Sequence, residues 1–388
     1  MSFKVLKKIV MQCGFVFTTA LCGFLFIFAL SAFGALYLQL PMFGKLPDGE
    51  RLARIEKSPN YKNGRFWNQR EISTTTNRTD ILRNRISTAF EFLFKNKSKR
   101  YPKKKLPSIR TDLKNLEPQE DVLVWFGHSS CFLLLDGKRI LVDPLFSKIS
   151  SPVLFFPEAF EGTNLYQAKD MPEIDYLVIT HDHWDHLDYD TVLKLKTKTK
   201  KVVCGLGVGA HLEYWGFSKD QIIEMDWNEN VFPDADFAIH CLPAHHFSGR
   251  GFVRNKSLWT SFLIKTKTFS VYIGGDSGYG SHYADIGNRF GPIDLVLLNS
   301  GQNDKNWQYI HMGADEVIRA SRDLQAKMLL PVHICKICLA HHAWNEPLIE
   351  LSHLIMGENF SLLTPVIGEK IRLRLPNQAT SKWWKNLE

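Results

Sequence analysis

Directly after the apolar, β-prone run Tyr176 to Thr180 comes His181-Asp-His-Trp-Asp-His186. Four potential metal donors, His181, His183, Asp185 and His186, therefore fall within six residues at the end of a predicted strand, where irregular backbone can turn side chains inward. Neutral imidazole and carboxylate bind a transition ion at about 2.0–2.2 Å, so alternate residues on one tight loop can approach one ion while the adjacent Asp-His pair faces a second. Two ions a few ångströms apart supply a water nucleophile at neutral pH and clamp the attacked group. Such a site needs more donors than this loop provides, and the fold has to bring them from elsewhere. Histidine and carboxylate suit several transition metals, zinc and iron among them.

The surrounding pattern is that of α/β layers. Val122 to Phe126, Cys131 to Leu135 and Arg139 to Val142 are short apolar or alternating runs, separated by Gly127-His-Ser-Ser130 and by the hairpin signal Asp136-Gly137. Further strands are predicted at Tyr176 to Thr180, Lys201 to Cys204, Phe237 to Leu242, Ser261 to Ile264, Phe269 to Ile273, Leu295 to Leu298 and Met328 to Pro331. Helical patterns lie between them, notably Asp190 to Leu195 and Gly313 to Arg322. No internal repeat or low-complexity segment interrupts the series.

The H-x-H-x-D-H run resembles the signature of the metallo-β-lactamase superfamily, an αββα sandwich with a dinuclear zinc site at its strand ends. The resemblance implies the remaining donors: His246 in Pro243-Ala-His-His-Phe247, Asp276 in Gly274-Gly-Asp-Ser-Gly278, and His333 in Pro331-Val-His333. It assigns His181, His183 and His246 to one zinc, Asp185, His186 and His333 to the other, and Asp276 to the bridge, with Asp185, Asp276 and His311 as the catalytic groups. Gly127-His128, Asp143-Pro-Leu-Phe-Ser147, Gly275-Asp-Ser-Gly-Tyr279, Arg289-Phe-Gly-Pro-Ile-Asp294 and His311 near Glu316 are similar to the N-acylphosphatidylethanolamine-hydrolysing phospholipase D branch, in its bacterial form. That likeness runs from about Phe43 to about Pro347 and implies a phospholipid phosphodiesterase that forms a homodimer. Two departures flank the site. His333 is followed by Ile334-Cys-Lys-Ile-Cys338 where the branch commonly has Trp-Gly-Thr-Phe, and Ile310 stands where it often has Gln. Other readings of the same zinc motif are a lactonase or other small-ester hydrolase and a non-catalytic metal-binding scaffold. His245 is read as a neighbour of His246, and His341 and His342 as rim residues.

At the other end of the chain, no charged side chain occurs from Ile9 to Leu40, long enough to cross a bilayer with some tilt. An uncleaved anchor is expected over residues 1–42, the alternative being a signal peptide with Lys4, Lys7 and Lys8 as its basic region and Ala29-Leu-Ser31 as its cleavage site. Lys/Arg residues on both sides of the span nearly cancel. The expected location is a single-pass bacterial inner-membrane protein with its catalytic body facing the periplasm. The net charge of +8 splits into +13 for residues 1–120 and −5 beyond, so an anionic partner surface belongs to the N-terminal third. Seven basic residues between Lys95 and Lys105 suit acidic headgroups or a solvated linker, and no nucleic-acid motif accompanies them. The expected division is an anchor at 1–42, a basic linker and lead-in at 43–115, and a hydrolase domain at 116–388. Seven cysteines are too few for a disulfide scaffold. Cys335 and Cys338 read as buried thiols, or as a third metal site or redox pair. The ten tryptophans are assigned to the core, with Trp383-Trp384 a candidate for contact with the membrane interface.

Overall fold

The computed structural model describes residues 3–70, 72, 99–152, 158–375, 378 and 381–387. The chain divides into two compact units, Met1–Gly44 and Lys45–Glu388. In the first, helix α1 (Phe3–Tyr37) includes the stretch Phe17–Tyr37, long and apolar enough to cross a bilayer. Phe24, Phe26 and Phe28 on it are exposed. A membrane anchor and a signal sequence share this length and composition.

The second unit opens with helix α2 (Gly49–Ile55) and a small hairpin of β1 (Tyr61–Lys62) and β2 (Arg65–Phe66). The strands that follow are β3 (Val122–Trp125), β4 (Cys131–Leu135), β5 (Lys138–Val142), β6 (Ile174–Ile179), β7 (Thr199–Gly205), β8 (Ile222–Met225), β9 (Asn230–Asp234), β10 (Phe237–Leu242), β11 (Ser261–Thr266), β12 (Ser270–Ile273), β13 (Ile293–Asn299), β14 (Ala326–Val332), β15 (Ser361–Leu362) and β16 (Lys370–Arg372). They form two seven-stranded sheets among the described residues, in the orders β16-β3-β4-β5-β6-β7-β8 and β15-β14-β13-β12-β11-β10-β9. Each sheet begins as an antiparallel meander and continues as parallel strands. The later β16 crosses back to pair with β3.

Strand alternation explains the layering. On β3 and β4, Leu123, Trp125, Leu133 and Leu135 face the second sheet, and Val122, Val124, Phe132 and Leu134 face outward. Both faces are buried, so these strands read in sequence as continuous apolar runs rather than as alternating ones. The outer face of the first sheet packs on helices α3 (Tyr189–Leu195) and α4 (Gly209–Tyr214) through Val192, Leu195 and Leu212. The outer face of the second packs on α5 (His282–Phe290), α6 (Ala314–Asp323) and α7 (Glu346–Leu354) through Tyr283, Ile286, Val317 and Leu351. The result is the expected αββα sandwich.

Three expectations need correction. The lead-in is not simply a linker, because Ile55, Phe66 and Leu106 are buried in the cluster between the sheets. Within the basic run, Lys95 and Lys97 lie outside the described residues, and Arg100 is buried, its Nε donating to Cys338 Sγ at 3.4 Å rather than meeting solvent or headgroups. Trp383 and Trp384 are likewise buried in the inter-sheet cluster, so these two rings do not form an interfacial surface. Phe262 on β11 is fully buried between the sheets. Phe262→Ala should cost about 3–5 kcal/mol of stability, read from urea unfolding of the full chain; a change within error would contradict this account of the core.

Candidate metal centre

The donors converge on one edge because each follows the carboxyl end of a strand. The His181–His186 loop leaves β6, His246 follows β10, Asp276 follows β12 and His333 follows β14. Gly275 has φ 59, and a side chain there would meet Thr180 Cβ and the Thr260 carbonyl at 2.9 Å. The site therefore requires glycine immediately before Asp276, so that the two sheets' loops can meet.

Two triads result. His181 Nε2 lies 2.9 Å from His183 Nδ1, which lies 3.2 Å from His246 Nε2. Thr180 Oγ1 lies 3.1 Å from His181 Nδ1, and the Ile310 carbonyl lies 3.2 Å from His246 Nδ1, so partners behind both rings leave the Nε2 atoms facing inward. In the second group His186, Asp185, His333 and also His128 bring donor atoms together. Asp143 accepts the Nδ1–H of His186 at 2.8 Å and takes Thr180 N–H and Oγ1–H at 2.9 and 2.6 Å. Between the triads sits Asp276, whose Oδ2 is 3.2 Å from His186 Nε2, 3.9 Å from His181 Nε2 and 3.8 Å from His246 Nε2. All seven predicted donors are thus brought together. The His311 ring lies 5.2 Å from the rings of both His246 and His333.

These groups fit a cation. His186 Nε2 and Asp276 Oδ1 are buried with no hydrogen-bond partner, an arrangement folded proteins rarely leave uncompensated. Burial, followed by the neighbouring imidazoles, holds His181 and His246 well below the ordinary histidine range, and burial pushes His183 down to about 4. Burial opposes charge on Asp276 and Asp185. His186 and His333 beside Asp276, and His186 and His128 beside Asp185, outweigh it and hold both carboxyls well below their usual range. Burial also works against a proton on His186, yet Asp276, Asp185 and Asp143 lift it well above the ordinary value. Carboxylates that would hold a proton there would equally hold a metal ion.

Outside the triads, Asp182 in the same loop accepts from Gly249 N–H at 2.6 Å and Ser257 Oγ–H at 2.6 Å and lies 3.3 Å from His211 Nε2. It ties the metal loop to residues 249–257. His245 faces His282 with ring centroids 4.2 Å apart, in no donor group among the described residues. His341 Nδ1 pairs with Asp304 at 2.6 Å, and His342 Nε2 accepts from Gln302 N–H at 2.8 Å. Cys335 and Cys338 are buried free thiols, both shifted upward by burial, and belong to no donor group among the described residues. Sequence reasoning gave no role to His128, Asp143, Asp182 or His211. His128 and Asp143 stood out only as parts of motifs that resemble the phospholipase D branch.

The family model "Beta-lactamase superfamily domain" matches residues 138–334, which span β5 to the His333 loop. The chain belongs to this superfamily. An uncharacterized protein of Mycobacterium tuberculosis is 35% identical over 335 residues, covering 85% of this chain and 88% of that protein. The mitochondrial N-acyl-phosphatidylethanolamine-hydrolyzing phospholipase D of Saccharomyces cerevisiae is 30% identical over 240 residues, covering 59% of this chain and 51% of that protein. Among solved structures, an isothiocyanate hydrolase from Delia radicum gut bacteria shares the fold at TM-score 0.51 and 21% identity, over 64% of this chain and 98% of that one. The protein is a metallo-β-lactamase-fold, metal-dependent hydrolase.

The pKa directions set an order of metal release. In the first triad no proton has to leave before an ion binds, so metal affinity there should change little between about pH 8 and pH 6. In the second triad an ion must displace the proton on His186, so its affinity should fall as the pH drops. Competition titrations with a chromophoric chelator should show the second ion weakening first on acidification; parallel weakening of both would contradict the assignment.

Proposed function

We propose that the protein is a membrane-anchored, zinc-dependent phosphodiesterase that hydrolyses N-acylphosphatidylethanolamine to an N-acylethanolamine and phosphatidic acid. The observation that carries the proposal is the pair of triads sharing Asp276, with His311 beside them. The phospholipase D name of the yeast relative and the apolar helix Phe17–Tyr37 support the lipid substrate and the anchor. In this reading His181, His183 and His246 would hold one zinc, Asp185, His186 and His333 would hold the other, and Asp276 would serve both. When bound, the two ions stabilise negative charge developing on the phosphate oxygens and make water available as a nucleophile at neutral pH.

The chain's own groups do the rest. Asp185 and Asp276, ionised by their surroundings, orient the attacking water. Water's oxygen ends on phosphorus, and the bond from phosphorus to the ethanolamine oxygen breaks. His311 Nδ1 is buried without a hydrogen-bond partner, and burial keeps the imidazole below its ordinary pKa. It is the group placed to take a proton and deliver it to the leaving oxygen.

Detergent-solubilised full chain, loaded with zinc and given N-acylphosphatidylethanolamine in mixed micelles, should release phosphatidic acid, identified by mass spectrometry. Asp276→Asn should lower the rate by about a hundredfold or more. An intact lipid with two zinc ions bound would reject the substrate assignment. A second reading has its own support, because a cavity of about 400 Å³ beside His311 is lined by polar side chains, including Asn303, Asp304, Lys305 and Glu316. Such a lining suits a small polar ester or lactone better than an acyl chain. Turnover of a lactone panel alongside an intact lipid would move the assignment there.

A further inference from the structure

The turn between β3 and β4, Gly127 to Ser130, carries the Gly127-His128 pair that resembles the phospholipase D branch, a likeness that gives neither residue a role. In the structure two of its side chains reach the second triad, and the third reaches the main chain of the residue that braces His186. His128 Nε2 lies 2.8 Å from Asp185 Oδ2, and Ser129 Oγ lies 3.2 Å from His333 Nδ1. Ser130 Oγ–H donates at 2.7 Å to the carbonyl of Asp143, the residue whose carboxylate orients His186.

The turn is itself held rigidly. His128 N–H donates to the Ile334 carbonyl at 2.8 Å, and the His128 carbonyl accepts from His333 N–H at 3.0 Å and Trp125 Nε1–H at 2.9 Å. His128 is fully buried, has φ 53, and packs against His333 with ring centroids 4.1 Å apart and the ring planes tilted by 42°. A non-glycine residue is held in the left-handed region only where its surroundings over-determine it, and such residues gather at functional sites. A connecting turn has no need of a buried imidazole.

The tautomer follows from the unpaired atom. His128 Nδ1 is buried with no hydrogen-bond partner. With the proton on Nε2, the contact to Asp185 is a hydrogen bond and only an acceptor is left unpaired. With the proton on Nδ1, a buried donor is orphaned, which folded proteins avoid more strictly. We propose that His128 is a positioning residue of the metal centre: its Nε2–H donates to Asp185, and with Ser129 and Ser130 it makes this turn a clamp on the second metal ion and not on the first. The inference rests on the dinuclear reading of the site and is independent of the substrate.

Zinc binding to the full chain, measured by competition with a chromophoric chelator, tests it without any turnover. The parent should bind two ions. His128→Ala should bind the first as the parent does and the second about 10–100-fold more weakly. His128→Gln, whose side-chain N–H can reach the same carboxylate, should recover most of that loss. His183→Ala, as a control, should weaken the first ion. Parent-like binding of both ions by His128→Ala would overturn the proposal. So would a His128→Gln variant as weak as His128→Ala at unchanged melting temperature, because the imidazole would then itself be a ligand. A parent that binds fewer than two ions overturns it at the root, whatever lipid the enzyme does or does not cleave.

Discussion

Three imidazoles whose nitrogens stand about 3 Å apart, facing a buried carboxylate that also reaches a second donor group, form a converging donor set that a cation can fill. That convergence of buried donors is the constraint on which the rest of the molecule depends. The desolvation that keeps His181, His183 and His246 neutral also prepares them as ligands. The low dielectric around Asp276 strengthens its attraction for any cation set between the triads. Catalytic potential and folding cost thus reside in the same few atoms.

The two sheets meet this cost differently. The first sheet supplies the loop after β6 together with its braces, Asp143 after β5 and the turn after β3, so that the second triad is framed largely from one side. The second sheet supplies single donors from β10, β12 and β14, with the Ile310 carbonyl behind the His246 ring and the His128 carbonyl accepting from His333 N–H. At Ile310, a departure from the phospholipase D pattern, the identity of the side chain does not enter this contact. It is the main-chain oxygen, not the side chain, that meets the ligand ring. Asp182 joins the metal loop to residues 249–257, so any change in that segment is transmitted to the ligands.

Most of the fold was legible because buried strands announce themselves. Phe237–Leu242 and Cys131–Leu135 match the apolar runs residue for residue. The edge strands Asn230–Asp234 and Ser361–Leu362 did not stand out, being largely exposed or short and mixed in composition. Trp383 and Trp384 misled because a tryptophan pair near a basic tail has the same local sequence whether it meets lipid or folds back into a core. At the site, the spacing of His181 to His186 was a local signal. His246, Asp276 and His333 came from resemblance, since nothing in their own surroundings marks a ligand. The role of His128, though not its motif, was hidden for a physical reason: the contact that gives it one is with Asp185, 57 residues away.

The central claim is that two metal ions sit on either side of Asp276. Anomalous diffraction at the zinc edge from crystals of the metal-replete protein tests it most directly. The account predicts two peaks per chain, one among His181, His183 and His246 and one among Asp185, His186 and His333, with the Asp276 carboxylate between them. A single peak, or density only at surface histidines, would contradict it.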